Sequence, residues 1–205
     1  MEFKLELQDN ISVEEAELIF KLAQALEDGS CFSEDEQSAL KLYAACARAG
    51  YVKAYGKIGE LLEDGNPSKA ILYYKKGASM GDAYSMVQLG CWFEDNGNAG
   101  DALVCYQKAA EAGEIEGMYR YGRLTADGDE KLTWLRKAAA GGYMYAPRAL
   151  GEMYEMKENE NLALFWYRQG LELGDERLME RISILEMGSD EEIDVVIEYD
   201  DEETM

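Results

Sequence analysis

Residues 81–113 read G-D-A-Y-S-M-V-Q-L-G-C-W-F-E-D-N-G-N-A-G-D-A-L-V-C-Y-Q-K-A-A-E-A-G, and this stretch decides the fold. It begins and ends with glycine, and it carries small residues four and nine positions after its first glycine, at Ser85 and Gly90. The same pattern begins three more times, at Gly50, Gly113 and Gly142. The closing glycines, of which Gly174 is the last, are 29 to 32 residues apart, and this is the length of a two-helix repeat.

The segments between these glycines have the period of an amphipathic helix. In A-L-V-C-Y-Q-K-A-A-E-A-G, residues 102–113, apolar positions recur at steps of three and four. A glycine inside a helix costs about 1 kcal/mol of helix propensity, so close packing against a neighbouring helix must offset that loss. Capping patterns agree: S-x-x-E begins at Ser12 and at Ser33, and Asn66 precedes Pro67. Each unit is therefore predicted to be a helical hairpin.

The combined patterns predict eleven helices. Their predicted bounds are Val13–Glu27, Glu34–Arg48, Val52–Leu62, Pro67–Met80, Ala83–Glu94, Asp101–Ala112, Ile115–Ala126, Glu130–Ala140, Pro147–Met156, Asn161–Leu173 and Glu176–Met187. The last helix places apolar residues on one face and charged residues on the other, as a terminal capping element requires. The inward residues are Leu178, Ile182 and Leu185, and the outward ones are Glu176, Arg177, Glu180 and Arg181.

Two terminal segments flank the repeat region, which we assign to residues 12–187. Residues 1–11 alternate apolar and polar residues and could form a short strand. Residues 188–205 form an acidic tail; from Glu186 onward the chain has ten acidic and no basic residues. The high charge of this tail is typical of disorder, whereas the alternation of apolar residues with acids between Ile193 and Tyr199 indicates a latent strand. The tail is therefore either disordered or a latent strand. Pairing of the terminal segments between two molecules would give a homodimer.

Composition excludes several function classes. The 205 residues contain 42 acidic and 20 basic side chains, a formal charge of -22. Such a surface repels nucleic acid and anionic membranes and favours a basic protein partner. Histidine is absent, which removes histidine-dependent nucleophiles and histidine zinc sites. We expect no catalytic residue, no metal and no cofactor.

The four cysteines indicate the cellular compartment. No C-x-x-C pair occurs, so neither a zinc cluster nor a dithiol redox motif is expected, and free thiols in the cytoplasm are the simplest interpretation. Cys91 and Cys105 could form a bridge if the chain were exported. The first ten residues, M-E-F-K-L-E-L-Q-D-N, lack the apolar run of a secretory signal, and no segment has the length of a membrane helix.

The repeated residues resemble the Sel1-like repeat family, a relative of the tetratricopeptide repeats. The resemblance rests on A-Y-G-K-I-G at Ala54, S-M-V-Q-L-G at Ser85, A-P-R-A-L-G at Ala146 and A-A-x-x-G at Ala109. It implies an all-α, right-handed α-α superhelical solenoid of five helix-turn-helix repeats, closed by a C-terminal capping helix. It also implies a non-enzymatic protein that binds other proteins or peptides.

In such a solenoid the first helix of each hairpin lines the concave side. The positions that would face this groove are Tyr55, Lys57, Glu60, Met86, Gln88, Cys91, Tyr119, Arg120, Arg123, Arg148 and Glu152. Acidic residues also recur at the turns within the hairpins and would align as an acidic edge: Glu27, Asp28, Glu63, Asp64, Glu94, Asp95, Asp127 and Asp129. For each set the competing interpretation is structural, since tyrosine and methionine at helical spacing also fill cores and acids also solvate turns.

Three functions remain open at this point. The first is an adaptor that binds a protein or peptide through the groove and the acidic edge. The second is an immunity or inhibitor protein that masks a basic toxin or nuclease, since its charge would speed capture. The third is a hydrolase related to β-lactam-binding relatives, although this chain lacks their regularly spaced cysteine pairs and any S-x-x-K motif.

Overall fold

The computed structural model describes residues 11–29 and 35–188, and within these ranges the regular elements are all α-helices. The helices are α1 (Val13–Glu27), α2 (Glu36–Arg48), α3 (Lys53–Leu62), α4 (Pro67–Ser79), α5 (Ala83–Asp95), α6 (Ala99–Glu111), α7 (Ile115–Leu124), α8 (Gly128–Ala140), α9 (Ala146–Met156), α10 (Glu160–Glu172) and α11 (Leu178–Gly188). Five hairpins followed by one helix make an all-α repeat solenoid, as predicted. The predicted N-terminal strand, the Ser33 cap and the acidic tail lie outside the described residues, apart from Gly188 at the end of α11 and Ile11.

Side chains cap the helices where the sequence indicates. The Ser12 hydroxyl accepts a hydrogen bond from the Glu15 amide, and the Glu15 carboxylate accepts one from the Ser12 amide, which completes the predicted capping box. Asn66 caps α4 ahead of Pro67. The cap of α2 is Asp35, whose carboxylate accepts from the Ser38 amide, so this helix starts two residues later than predicted.

The start of α6 also differs from the prediction. Asn98 caps this helix by accepting from the Asp101 amide, so the helix begins at Ala99 and Asp101 lies in its first turn. The prediction placed the start at Asp101, directly after the glycine at position 100. A first-turn amide needs a side-chain acceptor, and asparagine supplies it two residues before that glycine.

The glycines that close the second helix of each hairpin adopt positive φ. The values are +87° at Gly50, +93° at Gly81, +90° at Gly113, +82° at Gly142 and +98° at Gly174. This left-handed conformation costs glycine little because it has no β-carbon, and it ends a helix by satisfying its last carbonyls. The regular spacing of these glycines in the sequence therefore marks where the second helix of each hairpin ends.

The chain divides into two compact units, residues 1–117 and 118–205. In the first unit α2 packs against both α1 and α3, and α4 packs against both α3 and α5. Its core contains Phe20, Tyr43, Cys46 and Ile58, each less than a tenth exposed. In the second unit, α9 packs against α8 and α10, and α10 packs against α11. Leu150, Trp166, Tyr167 and Leu178 are buried there.

A buried tyrosine of the second helix lies across a glycine of the first helix in three of the hairpins. A β-carbon added at any of these three glycines would lie 2.2 to 2.5 Å from the nearest atom of the tyrosine ring, so these three crossings need glycine. These pairs are Gly59 with Tyr74, Gly90 with Tyr106 and Gly151 with Tyr167. In the first hairpin Tyr43 is the corresponding tyrosine, and Ala23 lies at the glycine position.

Each of these tyrosines donates a hydrogen bond to a glutamate one helical turn beyond the small residue; we call these the Tyr–Glu pairs. The oxygen–oxygen distances are 2.5 Å for Tyr43 to Glu27, 2.6 Å for Tyr74 to Glu63, 2.8 Å for Tyr106 to Glu94 and 2.7 Å for Tyr167 to Glu155. Burial raises the pKa of the Tyr43 and Tyr74 hydroxyls well above the usual tyrosine value, and the bonded glutamates raise it further. The pairs fix how the two helices of a hairpin cross.

The last helix, α11, closes the second unit as predicted. Leu178, Ile182 and Leu185 are each at most 8 % exposed, whereas Glu180 and Arg181 are exposed. The helix starts at Leu178, two residues later than predicted, because Gly174 and Asp175 form the preceding turn. The predicted outward residues are exposed, but Met179, Ile184 and Met187 are exposed as well, so the outer face of this terminal helix is only partly polar.

Candidate functional site

Three tyrosines of the second unit form an aromatic cluster that reaches the surface. Tyr119 belongs to α7, while Tyr143 and Tyr145 lie in the loop between α8 and α9. The ring centroids of Tyr119 and Tyr143 are 4.7 Å apart, and those of Tyr143 and Tyr145 are 5.8 Å apart. Tyr119 and Tyr143 are half-buried, and Tyr145 is 41 % exposed. Offset and edge contacts of this kind hold the rings in fixed positions.

Arg123 completes this surface, and we call the four residues the tyrosine cluster. Arg123 follows Tyr119 by four residues on α7, so the two side chains lie on one helical face. The guanidinium carbon lies 5.7 Å from the centroid of the Tyr119 ring, within the range of a cation–π contact. Arg123 is exposed, and Arg120 beside it is half-buried. The result is an exposed positive charge on a rigid aromatic base.

The sequence analysis found Tyr119, Arg120 and Arg123 but missed Tyr143 and Tyr145. The reason is that it considered only the positions of the first helix in each hairpin. The two missed residues follow the closing Gly142, in a turn that returns the chain to α9. Two tyrosines in Y-M-Y directly after a helix-closing glycine were the available signal, because large apolar rings are unusual in a solvent turn.

In the first unit, Lys57 joins two neighbouring hairpins through charge. Its ammonium group lies 3.2 Å from a Glu27 carboxylate oxygen and 2.9 Å from a Glu60 oxygen. Burial lowers the pKa of Lys57, but the hydrogen bonds and charges of Glu60 and Glu27 outweigh this, so the pKa lies above its usual value. Lys57 therefore links α3 to the end of α1 through Glu27, while Glu60 holds the same ammonium group from within α3.

Glu60 and Gln88 also surround the hydroxyl of Tyr84 on α5. Burial raises the pKa of Tyr84, and the charge and hydrogen bond of Glu60 raise it further, while a hydrogen bond with Gln88 opposes this. Gly56 leaves room for the ring, since a β-carbon there would lie 2.8 Å from Tyr84 Cδ1. The predicted residues Lys57, Glu60 and Gln88 thus form one polar row with Tyr84, which the sequence analysis had not included.

Tyr55 and Met86 are both half-buried. The Tyr55 hydroxyl donates to the Ala47 carbonyl at 3.3 Å, and its ring lies 6.5 Å from that of Tyr73. These contacts give Tyr55 a packing role. Cys91 and Cys105 are both half-buried, and no disulfide joins them.

In the second unit, Arg148 pairs with Asp175, which is 4 % exposed. A buried carboxylate needs a charged partner, so Arg148 stabilises the turn before α11. Glu152, one turn further along α9, is exposed. The partner-binding roles of Arg148 and Glu152 stay predictions.

The acidic edge is partly structural. Its glutamates Glu27, Glu63 and Glu94 are the acceptors of the Tyr–Glu pairs, and Asp127 caps α8 by accepting from two backbone amides. Asp64 and Asp95 are exposed beside them. In the second and third hairpins the aspartate of the turn is therefore exposed, whereas the glutamate before it accepts the tyrosine hydrogen bond that organises the hairpin.

Across residues 11–29 and 35–188, no three His, Cys, Asp or Glu side chains come together as a metal site would require. In the same described part of the chain, no helix combines the length and the apolar character needed to span a bilayer.

Comparison with known proteins identifies the repeats. The family model for the Sel1 repeat matches five times, at residues 16–51, 44–82, 83–114, 115–143 and 143–175. Among curated proteins, chitin synthase regulatory factor 4 of Schizosaccharomyces pombe is 23 % identical over 158 residues. That match covers 74 % of this chain but only 21 % of the relative, so the chain spans about a fifth of the length of that protein.

Two solved structures share the fold. The protective antigen c5321 of uropathogenic Escherichia coli, which displays an SLR fold, superposes with a TM-score of 0.77 at 24 % identity. The superposition covers 85 % of this chain and 42 % of that protein. The immunity protein PA5088 of Pseudomonas aeruginosa superposes with a TM-score of 0.56 at 19 % identity, over 85 % of this chain and 74 % of its own. At these identities the likeness concerns the fold alone.

Proposed function

Because this chain belongs to the Sel1 repeat family, whose repeats generally serve as protein-interaction scaffolds, we propose that it is a non-enzymatic adaptor that binds a protein or peptide through the tyrosine cluster. The observation that carries the proposal is the exposed Arg123 and Tyr145 on a base of contacting rings. Tyrosine and arginine are enriched at binding hot spots because they offer a large contact area together with directional donors.

Rigidity is the second argument for this surface. A side chain that is already fixed in the free protein loses little conformational entropy when a partner binds. Tyr119 contacts two tyrosine rings and the Arg123 guanidinium at once, so its orientation is set before binding. Lys57 and Arg148, by contrast, already hold carboxylates of their own chain. A partner that used them would first have to break those ion pairs.

The test compares two variants of exposed residues with a matched control. Arg123→Glu and Tyr145→Ser change the tyrosine cluster at positions whose exposure spares the core. Arg177→Glu, also exposed and in the same unit, introduces the same charge change elsewhere. Partners are purified from the native host with each chain and then titrated calorimetrically. A hot spot is worth at least about 2 kcal/mol, so each cluster variant should weaken binding about 30-fold.

The outcome is decided by which variants lose the partner. Loss with Arg123→Glu and Tyr145→Ser, together with retention by Arg177→Glu, supports the tyrosine cluster as the contact surface. A partner that binds all three variants with unchanged affinity contradicts it. Circular dichroism of each variant shows whether the helices are intact.

An immunity or inhibitor protein is the second candidate, and the distribution of charge favours it. Residues 1–117 carry twenty-one acidic and ten basic side chains, a net charge of -11. A basic toxin or nuclease would be attracted over a long range to such a unit. Its association rate should then fall steeply as salt is added, whereas a flat salt dependence would exclude steered capture. The hydrolase alternative has less support, since the family is generally non-enzymatic. The cytoplasmic location stays a prediction.

A further inference from the structure

Charge is distributed unevenly along the chain. Residues 118–188 carry ten basic and twelve acidic side chains, and seven of the eight arginines lie there. Residues 189–205 carry nine acidic and no basic side chains. The unit with the tyrosine cluster is thus nearly neutral and rich in arginine, and it continues directly into the most acidic segment of the protein.

The chemistry of that segment matches the tyrosine cluster. It reads S-D-E-E-I-D-V-V-I-E-Y-D-D-E-E-T-M, in which Ile193, Val195, Ile197 and Tyr199 are interspersed with carboxylates. Carboxylates pair with an exposed guanidinium such as that of Arg123, often through two hydrogen bonds. Aliphatic and tyrosine side chains pack on tyrosine rings. An acidic segment with regularly spaced apolar residues is therefore the peptide type that this surface fits.

We propose that residues 189–205 bind the tyrosine cluster of their own chain and compete with the external partner for it. This inference rests on the proposed function, because it concerns the same surface. The partner then shares the tail's chemistry: it presents an acidic segment that carries aliphatic or tyrosine side chains. An external partner must therefore displace the acidic tail, and this lowers the apparent affinity of the chain for that partner.

The tail is long enough to reach the site within the second unit. Arg181 of α11 donates to a Glu155 oxygen of α9 at 3.0 Å, so α11 lies beside the end of α9. From α9 the path to α7 crosses α8, that is, two helix packing distances of about 8 to 10 Å each. The ten residues of α7 add about 15 Å along its axis. The seven residues from Arg181 to the end of α11 add about 10 Å more, for a path of about 41 to 45 Å, whereas seventeen extended residues span about 56 Å.

Attachment to the same chain makes even a weak contact effective. A short tether gives an effective concentration on the order of 1 mM. If the isolated tail bound with a dissociation constant of about 0.1 mM, it would occupy its own site about nine-tenths of the time, and an external ligand would bind about tenfold more weakly. Since the attraction is largely electrostatic, salt near 1 M should release the tail.

The first experiment is nuclear magnetic resonance on the full chain labelled with nitrogen-15. Amide resonances of residues 189–205 are compared in wild type, in Arg123→Glu and in the control Arg48→Glu, which changes an exposed arginine of the first unit. We expect Arg123→Glu, but not Arg48→Glu, to move the tail resonances to the positions seen in 1 M salt. Identical tail resonances in all three chains, with or without salt, would overturn the proposal. Peak positions that depend on protein concentration would show binding to a second copy and would overturn it too.

The second experiment measures competition with a defined probe. A fluorescein-labelled peptide of residues 189–205 is titrated with the full chain and with a full chain carrying Asp194→Asn, Glu198→Gln and Asp200→Asn. The substituted chain should bind the peptide about tenfold more tightly, and Arg123→Glu should abolish that gain. Equal affinities would overturn the proposal. If Arg123→Glu weakens the external partner while the tail resonances never respond, the adaptor function stands and only the tail inference fails.

Discussion

Replacing Gly90 with alanine tests whether glycine at the helix crossing is required by the tyrosine that lies across it. The new β-carbon would lie 2.5 Å from Cε1, 2.8 Å from Cδ1 and 3.0 Å from Cζ of Tyr106. Real β-carbons do not approach an aromatic ring this closely, so either the ring or the helix must move. Tyr106 is fully buried and its hydroxyl is bonded to Glu94, so it has no free space to enter.

The expected loss in the free energy of unfolding is the sum of three contributions, of which one is stabilising and two are destabilising. Alanine gains about 1 kcal/mol of helix propensity over glycine. Overpacking of a filled core costs about 1 to 3 kcal/mol. Displacing the ring also breaks the hydrogen bond to the Glu94 carboxylate, worth about 1.5 to 3 kcal/mol. The sum is a destabilisation of about 1.5 to 5 kcal/mol, with about 3 kcal/mol as the central value.

Urea unfolding followed by circular dichroism at 222 nm measures this loss, and Gly100→Ala is the matched control. Gly100 lies in α6, and its nearest neighbour, Asn98 Oδ1, is 4.0 Å from where a β-carbon would be, so the control should be neutral or slightly stabilised. In the double variant with Tyr106→Phe, the hydrogen bond is already absent and Gly90→Ala should cost less. If Gly90→Ala is as stable as the control, the crossing does not depend on glycine and our account of the repeat is wrong.

Three further predictions concern stability and reactivity. Arg148→Ala should destabilise the second unit by about 2 to 4 kcal/mol in urea unfolding because it leaves Asp175 buried without its ion pair, and a loss below 0.5 kcal/mol would contradict this role. The pKa of Tyr74 is raised in the folded protein, whereas the unfolded chain ionises there near pH 10. The stability that Tyr74 contributes is therefore fully present below about pH 10 and is lost as the pH rises further. In Tyr74→Phe, the free energy of unfolding should fall less steeply above pH 10 than in the wild type. The Cys46 thiol donates to the Ala16 carbonyl and burial raises its pKa to about 11, so it should react with Ellman's reagent only after denaturant is added, and rapid labelling of the native protein at this residue would refute its burial.

Much of the fold could be predicted because the decisive residues act locally. A glycine such as Gly81 closes a helix through its own φ, and a cap such as Ser12 acts on amides three residues away. Neither effect needs knowledge of the tertiary structure. The hairpin period, the helix ends and the inward face of α11 follow from such signals. Helix starts were less accurate where a neighbouring polar residue competes for the cap, as Asp35 does.

The Tyr–Glu pairs could not be predicted, since they depend on how two helices cross. Glu63 and Glu94 were predicted to lie on an acidic edge because acids recur at equivalent turns of the repeats, and the competing interpretation was that they solvate those turns. In the structure each accepts a hydrogen bond from a tyrosine eleven or twelve residues later. The near-constant separation between glutamate and tyrosine was visible in the sequence. It indicates a hydrogen bond only if the tyrosine ring lies across the first helix, which the glycine permits. Helical spacing alone does not report such a contact.

The fourth hairpin departs from this arrangement, and the departure bears on function. Gly122 is retained, but Leu135 replaces the tyrosine and Ala126 stands where the glutamate would be. The hydroxyl of Tyr121 donates instead to Glu130 of α8, at 2.9 Å. Residues at functional sites often depart from the local structural pattern, because function and not packing determines them. This hairpin is the one whose first helix carries Tyr119 and Arg123, so the exception in the repeat and the tyrosine cluster coincide, which supports the proposal that this surface binds the partner.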